Sequence, residues 1–259
     1  MRCGRCLECC PSGALVLSED ELVIDRRRCE ACFDCADVCP AGAMIRKGEE
    51  AEAAELCREL LKDRAYFGDD GGVTLSGGEA LMQGDAVELL RLLQAAGVQT
   101  AVDTCGMLFA EQFTAALPHI DVLLYDLKLA DDDAHRRFTG QGNALILMNF
   151  RSLGEWITQG GRLWVRTPII PGATDTDENI RAIGEIIRQT GYVERWELCA
   201  FNNLCTDKYE QLGIRWRFAG TPLLTKARLK ELEQIAQSTN ACANIRATGA
   251  TKQEESHEV

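Results

Sequence analysis

Residues 71–79 read Gly-Gly-Val-Thr-Leu-Ser-Gly-Gly-Glu, and this stretch indicates how the larger part of the chain folds. Valine and threonine favour β-strands, whereas consecutive glycines end them. The stretch therefore predicts a short strand over 73–75 that ends in a glycine turn. The turn delivers the carboxylate of Glu79 to the end of the strand.

Similar strands and helices alternate along the rest of the chain. The sequence predicts further strands over 98–102, 120–125, 163–165 and 193–198. It predicts helices over 50–63, 85–96, 175–189 and 225–237. Strands that alternate with helices of this length form a parallel sheet or barrel, so the predicted fold class is α/β.

Polar side chains stand where these predicted strands end. They are Glu79, Asp103, Asp126, Arg166 and Asn202. In β/α barrels the carboxyl ends of the strands form the rim at which chemistry takes place. One such residue alone is commonly a loop residue or a helix cap, but five in series predict a binding rim.

The first 39 residues hold eight of the chain's 13 cysteines, in two groups. The group that begins at Cys29 has the complete spacing Cys-x2-Cys-x2-Cys-x3-Cys-Pro of a ferredoxin. The group that begins at Cys3 has the same spacing without its first cysteine. Two such groups in tandem predict a small fold that holds two [4Fe–4S] clusters.

In two-cluster ferredoxins the fourth cysteine of each group ligates the cluster of the other group. The spacing assigns one cluster to Cys10, Cys29, Cys32 and Cys35. It assigns the second to Cys3, Cys6 and Cys39, with a fourth ligand expected immediately before Met1. We therefore expect the recorded chain to be truncated at its N-terminus.

Other uses of these cysteines are open from the sequence alone. Zinc sites usually pair two Cys-x2-Cys units across a longer loop, and disulfides belong to secreted chains. Cys9 is either an incidental neighbour of Cys10 or a substitute ligand for the second cluster. We favour the incidental role because adjacent cysteines rarely reach two different clusters.

Composition excludes several function classes. The chain has 259 residues, 46% of them hydrophobic, and a formal net charge of −12, which disfavours binding to nucleic acid or an anionic membrane. No apolar run of 18 residues and no signal peptide is seen, so we expect a cytoplasmic protein. We expect a cluster domain over 1–48, a barrel over 49–251 and a charged tail over 252–259.

Three segments resemble the glycyl-radical-enzyme activating enzymes of the radical S-adenosylmethionine (SAM) superfamily, such as pyruvate formate-lyase activase. They are 71–79, the Tyr-Asp-Leu-Lys of 125–128 and the Arg-Thr-Pro-Ile-Ile-Pro-Gly of 166–172. The order of a two-cluster insert followed by a barrel is similar too. The resemblance implies a partial (β/α)6 barrel, here lacking its first strand, behind an N-terminal ferredoxin-like domain.

The resemblance also implies an activity and its partners. A reduced catalytic [4Fe–4S] cluster would cleave SAM to a 5′-deoxyadenosyl radical, which removes a hydrogen atom from a glycine of a large glycyl radical enzyme. A flavodoxin or ferredoxin would supply the electron, and the chain would act as a monomer.

Site residues follow from the resemblance position by position. Ser76, Gly77, Gly78 and Glu79 match the motif that binds the amino group of SAM. Asp103, Thr104 and Asp126 match ligands of a monovalent cation beside SAM. Lys128 matches the partner of the SAM carboxylate, and Arg166 matches an arginine near the nucleoside. Asn202 stands where many relatives have a histidine, and its amide cannot carry positive charge.

One departure from the family pattern bears on activity. The catalytic cluster needs Cys-x3-Cys-x2-Cys, and the chain contains no such triplet because positions 13 and 42 are glycine. The resemblance places the triplet upstream of Met1, so we expect the recorded chain to be inactive in SAM cleavage. The alternative is a non-catalytic iron–sulfur protein for electron transfer or partner binding that has lost radical chemistry. A different SAM-dependent enzyme is disfavoured by the cluster insert.

Overall fold

A computed structural model describes residues 3–18, 21–69 and 71–252. Its helices are α1 (Arg5–Cys9), α2 (Asp34–Asp37), α3 (Ala53–Leu60), α4 (Arg64–Phe67), α5 (Ala86–Ala95), α6 (Ala110–Ala116), α7 (Asp132–Thr139), α8 (Ala144–Arg151), α9 (Gly154–Thr158), α10 (Asp177–Thr190), α11 (Thr206–Gln211) and α12 (Lys226–Ser238). Its strands are β1 (Leu15–Leu17), β2 (Leu22–Ile24), β3 (Gly72–Leu75), β4 (Gln99–Thr104), β5 (Val122–Asp126), β6 (Arg162–Ile169), β7 (Arg195–Ala200) and β8 (Asn244–Thr248).

The described residues form two compact units. One comprises the described part of Met1–Ala51 together with Leu204–Ala219, and the other comprises Glu52–Asn203 and the described part of Gly220–Val259. The first unit therefore includes a segment that the sequence analysis assigned to the barrel. Beyond Lys252, the predicted charged tail lies outside the described residues.

The larger unit is built on a parallel sheet of six strands in the order β3-β4-β5-β6-β7-β8. Side chains along a strand alternate between two faces, and in β6 the residues at every second position are buried. The buried face packs under helices and includes Leu123, Val165 and Leu198. The opposite face is mostly half-exposed, and Asp103, Asp126 and Arg166 of the predicted rim lie on it.

Helix α10 shows how the sequence produces this packing. The side chain of Thr176 accepts a hydrogen bond from the backbone N–H of Asn179 and so caps the first turn. Ile180, Ile183 and Ile187 recur at three- and four-residue spacing and are fully buried. Gly191 ends the helix with a φ of 72°, a conformation that glycine adopts without strain.

The smaller unit has the two-fold repeat that its cysteine groups predict. Helices α1 and α2 pack on each other, and the antiparallel hairpin β1–β2 lies between them in sequence. Arg26 of the segment after the hairpin donates a 2.7 Å hydrogen bond to the carbonyl of Gln211. This bond ties the segment Leu204–Ala219 to the unit.

Several local predictions need correction. Strand β8 was not predicted, because its Asn-Ile-Arg-Ala-Thr sequence contains no apolar run. The helix predicted to begin at residue 50 begins at Ala53. The helix predicted over 85–96 spans Ala86–Ala95. Among the described residues, no helix is long and apolar enough to span a membrane.

Candidate functional site

The glycine turn after β3 leaves room for a ligand. Gly77 has a φ of 141°, in the region that residues with a Cβ rarely adopt. A Cβ built at Gly77 or Gly78 would meet no atom within 4 Å. Ser76 beside them is exposed. The turn therefore presents backbone that a ligand can approach closely.

Glu79 follows this turn and holds a buried carboxylate. Its Oε2 atom accepts a 2.9 Å hydrogen bond from the backbone N–H of Cys105, in the loop after β4. Its Oε1 atom is buried and has no hydrogen-bond partner among the described residues. Buried polar atoms are almost always paired, so this oxygen marks a place for a donor supplied by a ligand. Burial raises the pKa of the Cys105 thiol, and the neighbouring Glu79 raises it further.

Asp103 and Arg166 are joined across the sheet. Arg166 Nη1 donates a 2.6 Å hydrogen bond to Asp103 Oδ2, and both side chains are about 30% exposed. The register places Arg166 of β6 directly opposite Asp126 of β5. The guanidinium therefore lies close to two carboxylates.

Asp126 has a second basic neighbour on its own strand end. Lys128 Nζ lies 3.0 Å from Asp126 Oδ2. Burial raises the pKa of Asp126, while the charge of Lys128 and its hydrogen bond act in the opposite direction. Asp103 and Asp126 each use one carboxylate oxygen in these pairs, so a monovalent cation beside SAM would share the two carboxylates with Arg166 and Lys128.

The loop after β4 is fixed by a buried contact. Thr104 Oγ1 accepts a 3.0 Å hydrogen bond from the N–H of Gly106, so its hydroxyl serves the turn. Tyr125 is fully buried and donates a 2.7 Å hydrogen bond to the carbonyl of Ile146. A Cβ at Gly106 would lie 1.8 Å from the Tyr125 hydroxyl. Tyr125 therefore requires glycine at position 106, in the loop whose Cys105 N–H donates to Glu79.

Two further charged residues on the same sheet face, Glu197 and Arg246, were not predicted from the sequence. Asp126, Arg166, Glu197 and Arg246 are register partners across four neighbouring strands. Glu197 pairs with Arg246 and with Arg195. The alternating Arg-Trp-Glu-Leu-Cys-Ala of β7 carried this signal. Asn202, two residues beyond β7, is exposed.

In the smaller unit, four cysteines line one cavity of about 770 Å³. They are Cys10, Cys29, Cys32 and Cys35, the set that the spacing assigned to the first cluster. Cys39 lines a second cavity together with Cys9, whose thiol donates to the carbonyl of Cys6. Cys3 is exposed and precedes α1, and Cys6 is half-buried within it. Adjacent Cys9 and Cys10 therefore line different cavities.

Backbone groups point at the two cysteines that precede proline. Ala14 N–H donates to Cys10 Sγ, and Ala43 N–H donates to Cys39 Sγ, each at 3.3 Å. A hydrogen bond from Ser12 and this backbone donor lower the pKa of Cys10. Backbone hydrogen bonds from the loop after Cys39, with Met44 first among them, lower its pKa. Such donors stabilise thiolate sulfur, the form that binds iron.

These backbone donors and cavities fit an iron–sulfur cluster better than a single metal ion. Among residues 3–18, 21–69 and 71–252, no three His, Cys, Asp or Glu side chains lie close enough together to hold one metal ion. Four thiols around one cavity match the soft ligands of an iron–sulfur cube.

Comparisons with known proteins agree with both units. Residues 27–182 match the family described as "Radical SAM superfamily", and residues 1–43 match the "4Fe-4S dicluster domain". An isethionate sulfite-lyase activating enzyme of Desulfovibrio desulfuricans is 41% identical over 82% of this chain and 69% of its own length. A pyruvate formate-lyase-activating enzyme of Clostridium pasteurianum is 36% identical over 72% of this chain and 78% of its own.

The fold is shared with a solved structure. A domain of a pyruvate-formate lyase-activating enzyme from Bacteroides vulgatus superposes with a TM-score of 0.55 at 23% identity, over 69% of this chain and 99% of that one. The two family domains imply iron–sulfur clusters and SAM as cofactors. The radical SAM match spans more than half of the chain, and relatives above 30% identity align over most of its length. This chain therefore belongs to the radical SAM superfamily, among the activating enzymes of glycyl radical enzymes.

Proposed function

We propose that this chain supplies the SAM-binding rim, formed by Glu79, Asp103, Asp126, Lys128 and Arg166, of a protein that activates a glycyl radical enzyme. The carrying observation is the buried Oε1 atom of Glu79, which has no partner among the described residues. An ammonium group is the donor that best satisfies a buried carboxylate. The amino group of SAM would therefore bind at Glu79, above the open backbone of Gly77 and Gly78.

The remaining rim residues suit the other parts of SAM. The amino group of Lys128 lies beside Asp126, and a ligand carboxylate would compete with Asp126 for that amino group. Arg166 is held by Asp103 and also hydrogen-bonds the Cys199 side chain, and its other N–H donors would bind the ribose or the base. Ser76, Thr104 and Asn202 complete the proposed set, with Thr104 acting through the turn to Gly106.

The smaller unit would hold two [4Fe–4S] clusters, the second with three of its four ligands among residues 1–259. Cys10, Cys29, Cys32 and Cys35 surround one cavity and are proposed as the ligands of the first cluster. Cys3, Cys6 and Cys39 are proposed as ligands of the second. The N–H donors of Ala14 and Ala43 would stabilise the negative charge on the ligating sulfurs.

The radical step itself needs a further cluster. When bound to SAM, such a cluster would supply the electron that breaks a carbon–sulfur bond of the sulfonium. Residues 1–259 contain no Cys-x3-Cys-x2-Cys. We therefore propose that these 259 residues bind SAM without cleaving it, while the rim residues orient the bound molecule.

The proposed partner is a large glycyl radical enzyme. The names of the relatives support this, since isethionate sulfite-lyase and pyruvate formate-lyase are the targets that they state. The proposal includes a flavodoxin- or ferredoxin-type reductant and a monomeric chain.

The proposal is tested with anaerobically reconstituted chain. Isothermal titration calorimetry with SAM should show one site per chain, and incubation with SAM and dithionite should yield no 5′-deoxyadenosine above a protein-free blank. Absence of SAM binding by a chain that holds its iron would contradict the binding part. Robust deoxyadenosine formation would contradict the proposed division between binding and cleavage.

A non-catalytic iron–sulfur protein is the second candidate, and the missing triplet is the observation that favours it. An electron-transfer protein has no need for SAM. Reversible reduction of the clusters without SAM binding would support this candidate over the first.

A further inference from the structure

The segment Leu204–Ala219 belongs in sequence to the sheet unit but packs in the cluster unit. It lies between β7 and α12 along the chain. Its helix α11 is anchored by the hydrogen bond from Arg26 to the carbonyl of Gln211. Tyr209 and Trp216 stack within it, with ring centroids 5.4 Å apart, so the segment has packing of its own.

Helix α11 forms one wall of the cavity that the four cysteines line. Lys208, Gln211 and Leu212 line it together with Cys10, Cys29, Cys32 and Cys35. A cysteine-ligated cluster would therefore be covered in part by a distant segment of the chain. Lys208 is an exposed residue of this segment, and its side chain lines the cluster cavity.

The residues that line this cavity have a positive net charge, whereas the whole chain has a negative one. Its charged lining residues are Arg26, Lys47 and Lys208, which are positive, and Glu30, which is negative. The chain as a whole has 40 acidic against 28 basic residues. The excess of positive charge is therefore a local feature of this cavity.

The second cavity has the opposite balance. It is lined by Cys9 and Cys39, and its charged residues are Arg5, Glu8 and Asp37, one positive and two negative. Reduction adds negative charge to a cluster, so nearby positive charge favours the reduced form.

We propose that Lys208 on the inserted segment raises the reduction potential of the cluster held by Cys10, Cys29, Cys32 and Cys35 above that of the second cluster. One electron from a low-potential donor then resides first on this cluster. Lys208 acts as a positioning charge and ligates no iron. This inference rests on the cluster assignment made under the proposed function.

The test is a redox titration of the reconstituted full chain followed by electron paramagnetic resonance (EPR). Two reducible clusters should titrate at different midpoint potentials. Lys208→Gln should lower the higher midpoint and leave the lower one within error. Lys208→Arg should preserve it, and Glu30→Gln should shift it upward. Lys230→Gln, an exposed change on α12, is the matched control and should shift neither.

Assembly and assignment are measured in the same samples. Cys32→Ser should remove the higher-potential signal, and iron content shows whether each variant holds its clusters. Normal iron with no shift in Lys208→Gln, or an equal shift of both clusters, would overturn the inference. If Lys208→Gln loses iron, Lys208→Met is titrated in its place, and an unchanged higher midpoint in that variant would overturn the inference. Loss of iron from the unmodified chain would count against the cluster assignment, whereas SAM binding is measured independently.

Discussion

Arg166 on β6 hydrogen-bonds Asp103 on β4 at 2.6 Å, reaching past the intervening strand β5. The pair links the two sides of the proposed SAM rim. Because each side chain is only about 30% exposed, the interaction is less screened than a surface ion pair.

We expect a double-mutant cycle of Arg166→Met and Asp103→Asn to give a coupling free energy of about 1 kcal/mol in urea unfolding, since hydrogen bonds to charged groups exceed surface pairs. The matched control is Arg162→Met with Glu194→Gln, a more exposed pair with 45% and 39% exposure. Its coupling should be smaller. Equal coupling free energies in the two cycles would show that burial at the rim does not strengthen the pair.

Gly106→Ala should be strongly destabilising. Its Cβ would lie 1.8 Å from the Tyr125 hydroxyl, and the position has a φ of 71°. Overpacking and the left-handed conformation together should lower the free energy of unfolding by about 2–4 kcal/mol. Gly84→Ala, where a Cβ meets open space, is the control. A melting temperature of Gly106→Ala within 1 °C of the control, roughly the effect of a small fraction of 1 kcal/mol, would be inconsistent with the tyrosine contact.

Asp126 predicts a pH dependence of stability. Burial raises its pKa above the ordinary 3.8, so the folded chain binds more protons than the unfolded chain in that window. Stability from this group therefore falls as pH rises from about 3.8 through the folded-state pKa. The stability of wild type relative to Asp126→Asn should decline across this range and then level off. A wild-type stability that rises relative to that of Asp126→Asn over the same pH range would reverse the assigned sign.

Cysteine substitution should separate ligands from packing residues. Cys32→Ser removes a thiol from the four-cysteine cavity and should lower iron by about four atoms per chain, one [4Fe–4S] cluster. Cys57→Ser changes a buried cysteine of α3 that packs in a hydrophobic cluster and should retain full iron. Iron and sulfide analysis after anaerobic reconstitution measures both. Unchanged iron in Cys32→Ser would argue against the assignment.

The β/α pattern and the cysteine spacing could be predicted because each is local. Strands β3 to β7 coincide with apolar runs of the sequence. The ferredoxin spacing predicts the four cysteines around the larger cavity. Strand β8 was missed because its alternation of Ile245 and Ala247 with polar residues is short and weakly apolar.

Tertiary pairings could not be predicted from single positions. The partners of Asp103 and Asp126 depend on which strands are neighbours and on their register. The contribution of Leu204–Ala219 to the cluster unit depends on contacts such as Arg26 to Gln211, 185 residues apart. No local sequence pattern predicts a contact between residues so far apart along the chain.

SAM binding to wild type and Glu79→Gln tests the central claim most directly. Glutamine keeps an oxygen for the Cys105 N–H but removes the negative charge that an ammonium group needs. Equilibrium dialysis with labelled SAM should show a Kd raised about 10- to 100-fold, because a charged hydrogen bond contributes about 1.5–3 kcal/mol. Glu88→Gln, which breaks a surface pair with Arg91, should bind as wild type. An unchanged Kd in Glu79→Gln, with iron and melting temperature intact, would contradict the assignment of the SAM site to this rim.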